Sequence, residues 1–131
     1  MREIKFRGKD DDGHWRYGDH VCHNVWSYPS IMEFYDPDYP NDNRFPVDPA
    51  TVGQFTGLRD CKRREIYEGD ILHITAKNPY RSPIDHKSVV TWGNCGWECF
   101  GEQLYDLRMR YSVTVIGNIH DNSELLLESN K

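Results

Sequence analysis

Apolar and polar residues alternate from the start of the chain. Ile4 and Phe6 fall on one side of an extended segment while Arg2, Lys5 and Arg7 fall on the other, the period of a half-buried strand. Asp10-Asp11-Asp12-Gly13 then predicts a tight turn, because Asp-Gly accepts the positive φ angles that a hairpin needs. Trp15, Tyr17 and Val21 continue at the same period, so the first 22 residues read as a hairpin. Ser30 to Tyr35 has strand character, and Thr51 to Thr56 alternates again and is expected to stop at Gly57. Between them, residues 36–50 hold four prolines, which bar a helix or a central strand and predict a long Pro-rich loop.

The clearest segment follows. Gly69-Asp70 predicts a turn into a β-branched strand, Ile71 to Thr75, with Ile71 and His73 on one face and Leu72 and Ile74 on the other. Residues 77–87 form a polar connection. Ser88 to Trp92 and Trp97 to Phe100 bracket Gly93-Asn94-Cys95-Gly96 as a second hairpin, and Tyr111 to Ile119 is a further strand. Only residues 122–128 read as helix, with Asn122 or Ser123 as cap and Glu124 well placed against the helix dipole. The expectation is a mainly β, small barrel-like domain of short antiparallel strands with a short C-terminal helix, a single unit over residues 1–131.

Composition changes this picture in one respect. Four Trp, eight Tyr and five Phe are many for 131 residues, and they supply the bulk that the aliphatic residues lack. Phe6, Trp15, Tyr17, Phe55, Trp92, Trp97 and Phe100 lie in strand patterns and are expected in the core. Trp26, Tyr28, Tyr39 and Tyr80 lie in or beside irregular segments and are candidates for a binding platform. The net charge of -5 is spread over both halves and argues against a bulk nucleic-acid surface. One compact basic cluster remains, Lys62-Arg63-Arg64 with Arg59 just before it, read either as a solvated turn or as a contact for phosphate or an acidic partner.

Several segments together resemble the YopX family of phage and prophage proteins. They are Met1 to Arg7, Thr51 to Asp60, Glu65 to Leu72 and Val115 to Leu126, in the family's order and over nearly the whole chain. The resemblance implies a mostly β domain related to small SH3-like barrels, made from a mobile element in a bacterial cytoplasm, and it brings no reaction and no catalytic residues. One departure stands out. Where the family has a short Asn-Gly type of turn, this chain has Cys61-Lys62-Arg63-Arg64, so less permissive residues must make the turn.

Candidate chemistry is sparse. No apolar stretch fits a secretory signal or a membrane span, and the four cysteines are expected as reduced thiols. Cys95 and Cys99 with Cys22, His20 and His23 make a poor zinc pattern, because neither pair has knuckle spacing. Asp10 to His14 fails the EF-hand register. Glu68 and Asp70 flank Gly69, but an Asp that bonds its own turn explains Asp70 more simply than catalysis does. No cofactor and no metal is expected, and an enzyme of unknown type is the weakest of three readings. The first is a noncatalytic module that binds protein or itself; the second is a nucleic-acid-binding barrel using Arg59, Lys62, Arg63 and Arg64.

Overall fold

A computed structural model describes residues 4–22, 29–32, 44–78, 84–94 and 96–128. Trp26, Tyr28, Tyr39 and Tyr80 lie outside them, as do Cys95 and residues 36–43 of the Pro-rich segment. The fold is mainly β, with twelve short strands and two short α-helices among the described residues. All registered strand pairs are antiparallel, and no closed barrel forms among the described strands. The chain divides into two compact units, Met1–Phe55 and Thr56–Lys131.

The first unit contains β1 (Phe6–Lys9), β2 (Trp15–Cys22), β3 (Pro29–Met32), β4 (Arg44–Pro46) and the opening residues of β5 (Gly53–Arg59), in the spatial order β4-β3-β2-β1-β5. The Asp10 turn forms as the sequence predicts and sets Lys9 opposite Trp15 and Phe6 opposite Gly18. The Asp10 N–H donates to the His14 carbonyl at 3.0 Å, the Gly13 N–H donates to the Asp10 carbonyl at 3.1 Å, and Gly13 takes φ 82°. Within the Pro-rich segment, Arg44–Pro46 is an edge strand rather than loop, where a missing proline N–H breaks no interior ladder. A single 3-10 turn, Pro49–Thr51, follows with Asp48 as its cap.

Burial in the first strand runs opposite to the expectation. Ile4 is 63% exposed, whereas Arg7 is only 6% exposed. The reason is aromatic: the Arg7 guanidinium lies 4.7 Å from the Trp15 ring centroid, so an amphipathic side chain fills the inner face. Gly8 is required beside it, because a Cβ there would come within 2.8 Å of Val47, a buried residue.

In the second unit β5 continues past Gly57, which keeps its place in the strand at φ 83°, and pairs with β6 (Glu65–Tyr67). The strand thus runs two residues beyond the expected stop. A three-stranded sheet follows in the order β12-β7-β8, from β7 (Asp70–Ala76), β8 (Asp85–Val89) and β12 (Tyr111–Asn118). Another, in the order β11-β10-β9, comes from β9 (Thr91–Gly93), β10 (Gly96–Cys99) and β11 (Glu102–Gln103). The second predicted hairpin is the β9–β10 pair, with Trp92 opposite Trp97. A bulge between Val115 and Gly117 shifts the β12 register and leaves Ile116 exposed.

Helix α2 (Glu124–Glu128) is the one expected, but α1 (Leu104–Arg110) contradicts the reading that only residues 122–128 are helical. Seven residues with no side-chain cap give little local signal. Tertiary packing decides it: Leu104 and Leu107, one turn apart, are fully buried against Ile66, Leu72, Ile74, Val90, Cys99 and Val113. This aliphatic cluster is the core of the unit, and it replaces the aromatic core expected from composition. Trp97 only packs against its edge, while Trp92 is 59% exposed and Phe100 and Tyr17 are also exposed. Phe55 alone among the seven strand aromatics is fully in the interior.

Candidate functional site

The predicted basic cluster sits on the turn between β5 and β6, and Asp60 builds that turn. The Asp60 N–H donates to the Arg64 carbonyl at 2.8 Å and the Arg63 N–H donates to the Asp60 carbonyl at 2.9 Å. Asp60 Oδ1 accepts from the N–H groups of Lys62 at 2.9 Å and Arg64 at 2.8 Å, and Oδ2 accepts from the Val115 N–H at 2.9 Å. The carboxylate is completely buried and has Arg64 Nε at 3.6 Å. A buried anion is tolerable here because charge-assisted bonds occupy both of its oxygens. Arg63 takes φ 66°, a left-handed conformation that costs a side-chain-bearing residue about 1 kcal/mol.

Beside this turn lies a cleft of about 180 Å³ lined by Arg59, Asp60, Cys61, Lys77, Arg108, Tyr111, Ser112 and Val113. Of the four predicted cations only Arg59 lines it; Lys62, Arg63 and Arg64 form the turn that follows. Lys77, just past the end of β7, and Arg108, on α1, are the cations that sequence reasoning missed. They are far apart in the chain, and the helix that carries Arg108 was itself unforeseen. Arg108 Nε donates to the Arg59 carbonyl at 2.7 Å. That bond fixes the guanidinium through Nε, and no carboxylate among the described residues engages its terminal nitrogens, so less freedom is lost when they bind an anion. Arg59 also lies 3.7 Å from Glu65, whereas Lys77 and Arg108 have no carboxylate partner among the described residues. The Cys61 thiol is exposed and lies 3.3 Å from Thr114 Oγ1.

The other candidates resolve into structural roles. Asp70 is buried and its Oδ2 accepts from the Tyr67 N–H at 2.7 Å, so it holds its own turn. Glu68 has its carboxyl pushed up by burial alone. Asp10, Asp12 and His14 bring potential ligand atoms within 4.8 Å of one another, but Asp10 is already engaged by the Asp12 and His14 N–H groups and by Arg16 Nε. Cys99 is buried in the core, where desolvation raises its thiol pKa to about 11, so it is a packing residue. His73 Nε2 lies 2.6 Å from Asp85 Oδ1, an acid–base contact across β7 and β8 with Asp85 exposed and His73 partly so.

The family model described as YopX protein matches residues 5–127. No curated protein matches the chain. Among solved structures, that of protein EF1440 from Enterococcus faecalis is similar at 24% identity and a TM-score of 0.65, covering 96% of this chain and 99% of that one. At that identity the likeness concerns the fold.

Proposed function

The chain belongs to the YopX protein family, and we propose that this member is a noncatalytic binding module that docks an acidic segment of a partner protein in the cleft beside the Asp60 turn. The observation that carries the reading is charge. Arg59, Lys77 and Arg108 converge on a cleft whose single carboxylate, Asp60, is buried and engaged by backbone N–H groups. In a chain with a net charge of -5 such a cleft focuses a local positive field and attracts a negative group. The family resemblance adds the setting: an accessory protein of a phage or prophage, acting in the bacterial cytoplasm. Self-association is the variant of this reading in which the acidic segment belongs to a second copy.

One observation favours nucleic acid instead. Tyr111 lines the same cleft, and an aromatic ring beside cations is the usual platform for single strands. The overall negative charge opposes it, because phosphate neutralisation supplies most of such affinity.

Titration with a seven-residue glutamate peptide and with a single-stranded oligonucleotide of the same charge separates these readings. Peptide binding that weakens with salt and is lost in a Lys77→Gln, Arg108→Gln variant is the expected result. Tighter binding of the oligonucleotide supports the nucleic-acid reading. Flat curves for both at low salt contradict a role for the cleft.

A further inference from the structure

The cleft holds more positive charge and more donors than one carboxylate uses. Lys77 supplies an ammonium, Arg108 a guanidinium fixed through Nε, and Arg59 a second guanidinium shared with Glu65. Tyr111 and Ser112, at the start of β12, complete the same wall. A carboxylate brings one negative charge and two oxygens. A phosphate monoester brings about -1.5 to -2 at neutral pH and three acceptor oxygens, and it suits planar guanidinium groups. At about 180 Å³ the cleft suits one such group and its linker rather than a run of nucleotides.

The turn supplies a second observation. Asp10 and Asp60 organise the same backbone hydrogen bonds, yet the left-handed position is Gly13 in one turn and Arg63 in the other. Glycine would relieve about 1 kcal/mol of backbone strain at that position. Arg63 instead adds a cation two residues after Cys61, which lines the cleft. Strain kept at an exposed position, where packing does not demand the side chain, points to function.

We infer that the anionic group taken by this cleft is a phosphate monoester on a side chain of the partner protein, gripped by Lys77, Arg108 and Arg59, with Arg63 strengthening the field at the rim. The inference rests on the acidic-segment reading and makes it specific. Its regulatory consequence is that phosphorylation of the partner switches docking on.

Calorimetric titration of the full chain tests this with four probes: a seven-residue glutamate peptide, the same peptide with phosphoserine at its centre, inorganic phosphate, and a single-stranded oligonucleotide. The phosphopeptide should bind about 10-fold or more tightly than the glutamate peptide, the equivalent of one or more added charge-assisted hydrogen bonds. Arg108→Gln should remove that advantage while keeping a cooperative thermal transition lowered by at most a few degrees for its lost bond to the Arg59 carbonyl, which separates lost binding from lost fold. Equal binding of the two peptides overturns the phosphate inference and leaves the acidic-segment reading standing. Inorganic phosphate binding as tightly as the phosphopeptide overturns the protein-borne source, and a stronger oligonucleotide overturns it in favour of nucleic acid. Binding of none of the four overturns both the inference and the reading beneath it.

Discussion

The Asp10 turn and the Asp60 turn solve one backbone problem with two different commitments. In each, an aspartate N–H pairs with the carbonyl four residues on, its carbonyl accepts from the residue three on, and its Oδ1 accepts from the N–H groups two and four on. The Asp10 turn closes a hairpin with glycine at the left-handed position. The Asp60 turn places an arginine there and sends its second carboxylate oxygen to the Val115 N–H on β12. The first is a local device. The second ties the β5–β6 connection to another strand of its unit and borders the cationic cleft. Shared geometry with different residues separates what the fold needs from what the surface adds.

Removing the two aspartates should break the symmetry most sharply. Asp60→Ala strips the N–H groups of Lys62, Arg64 and Val115 of a buried carboxylate acceptor and should cost about 3 kcal/mol in denaturant unfolding. Asp10→Ala should cost clearly less, because water can reach the N–H groups it exposes. Equal losses would show that the connection to Val115 contributes nothing.

The next effect is the exchange of the left-handed residues. Arg63→Gly should raise the unfolding free energy by about 0.5–1 kcal/mol, whereas Gly13→Ala should lower it by about as much. No neighbour lies within 4 Å of a Cβ at Gly13, so backbone strain alone is measured there. Destabilisation by Arg63→Gly would mean that the arginine side chain earns its place through packing.

Titration gives the smaller effects. Backbone N–H donation from His14 holds the Asp10 carboxyl below its ordinary 3.8 against a smaller desolvation effect, and Arg16 lowers it further. A lowered acid contributes stability above its unfolded pKa, and that contribution is lost as pH falls through the folded pKa. Protection of the Asp12 and His14 amides, measured against their intrinsic exchange rates, should therefore fall below about pH 3.8. In the second unit Cys99 works in the opposite direction: its thiol is raised from 9.0 to about 11 by burial. The fold keeps full stability below pH 9 and loses it as pH rises toward 11, because the unfolded chain ionises first. Alkylation at pH 8 should modify exposed Cys61 and spare Cys99, and equal rates would contradict the core assignment.

Legibility in the sequence follows the range of the interactions. The Asp10 hairpin, the Trp92–Trp97 pair and β12 were readable because two-residue periodicity and turn chemistry are local. The unusual composition of the Cys61 to Arg64 turn was readable too, and its strain falls on Arg63. Helix α1 was not readable, since Leu104 and Leu107 are helical for what they bury and not for any cap. Arg7 misled through its charge, which the Trp15 ring accommodates. The site was half visible: Arg59 and its neighbours form a run, but Lys77 and Arg108 reach the cleft only through tertiary structure.

On the proposed function, the Asp60 turn gives up the stability of glycine to keep a cation beside the cleft. Measuring unfolding free energy and phosphopeptide affinity together on Arg63→Gly tests it most directly. The expected result is a more stable protein that binds the phosphopeptide several-fold more weakly, with the loss shrinking as salt rises. A more stable protein with unchanged affinity would contradict it.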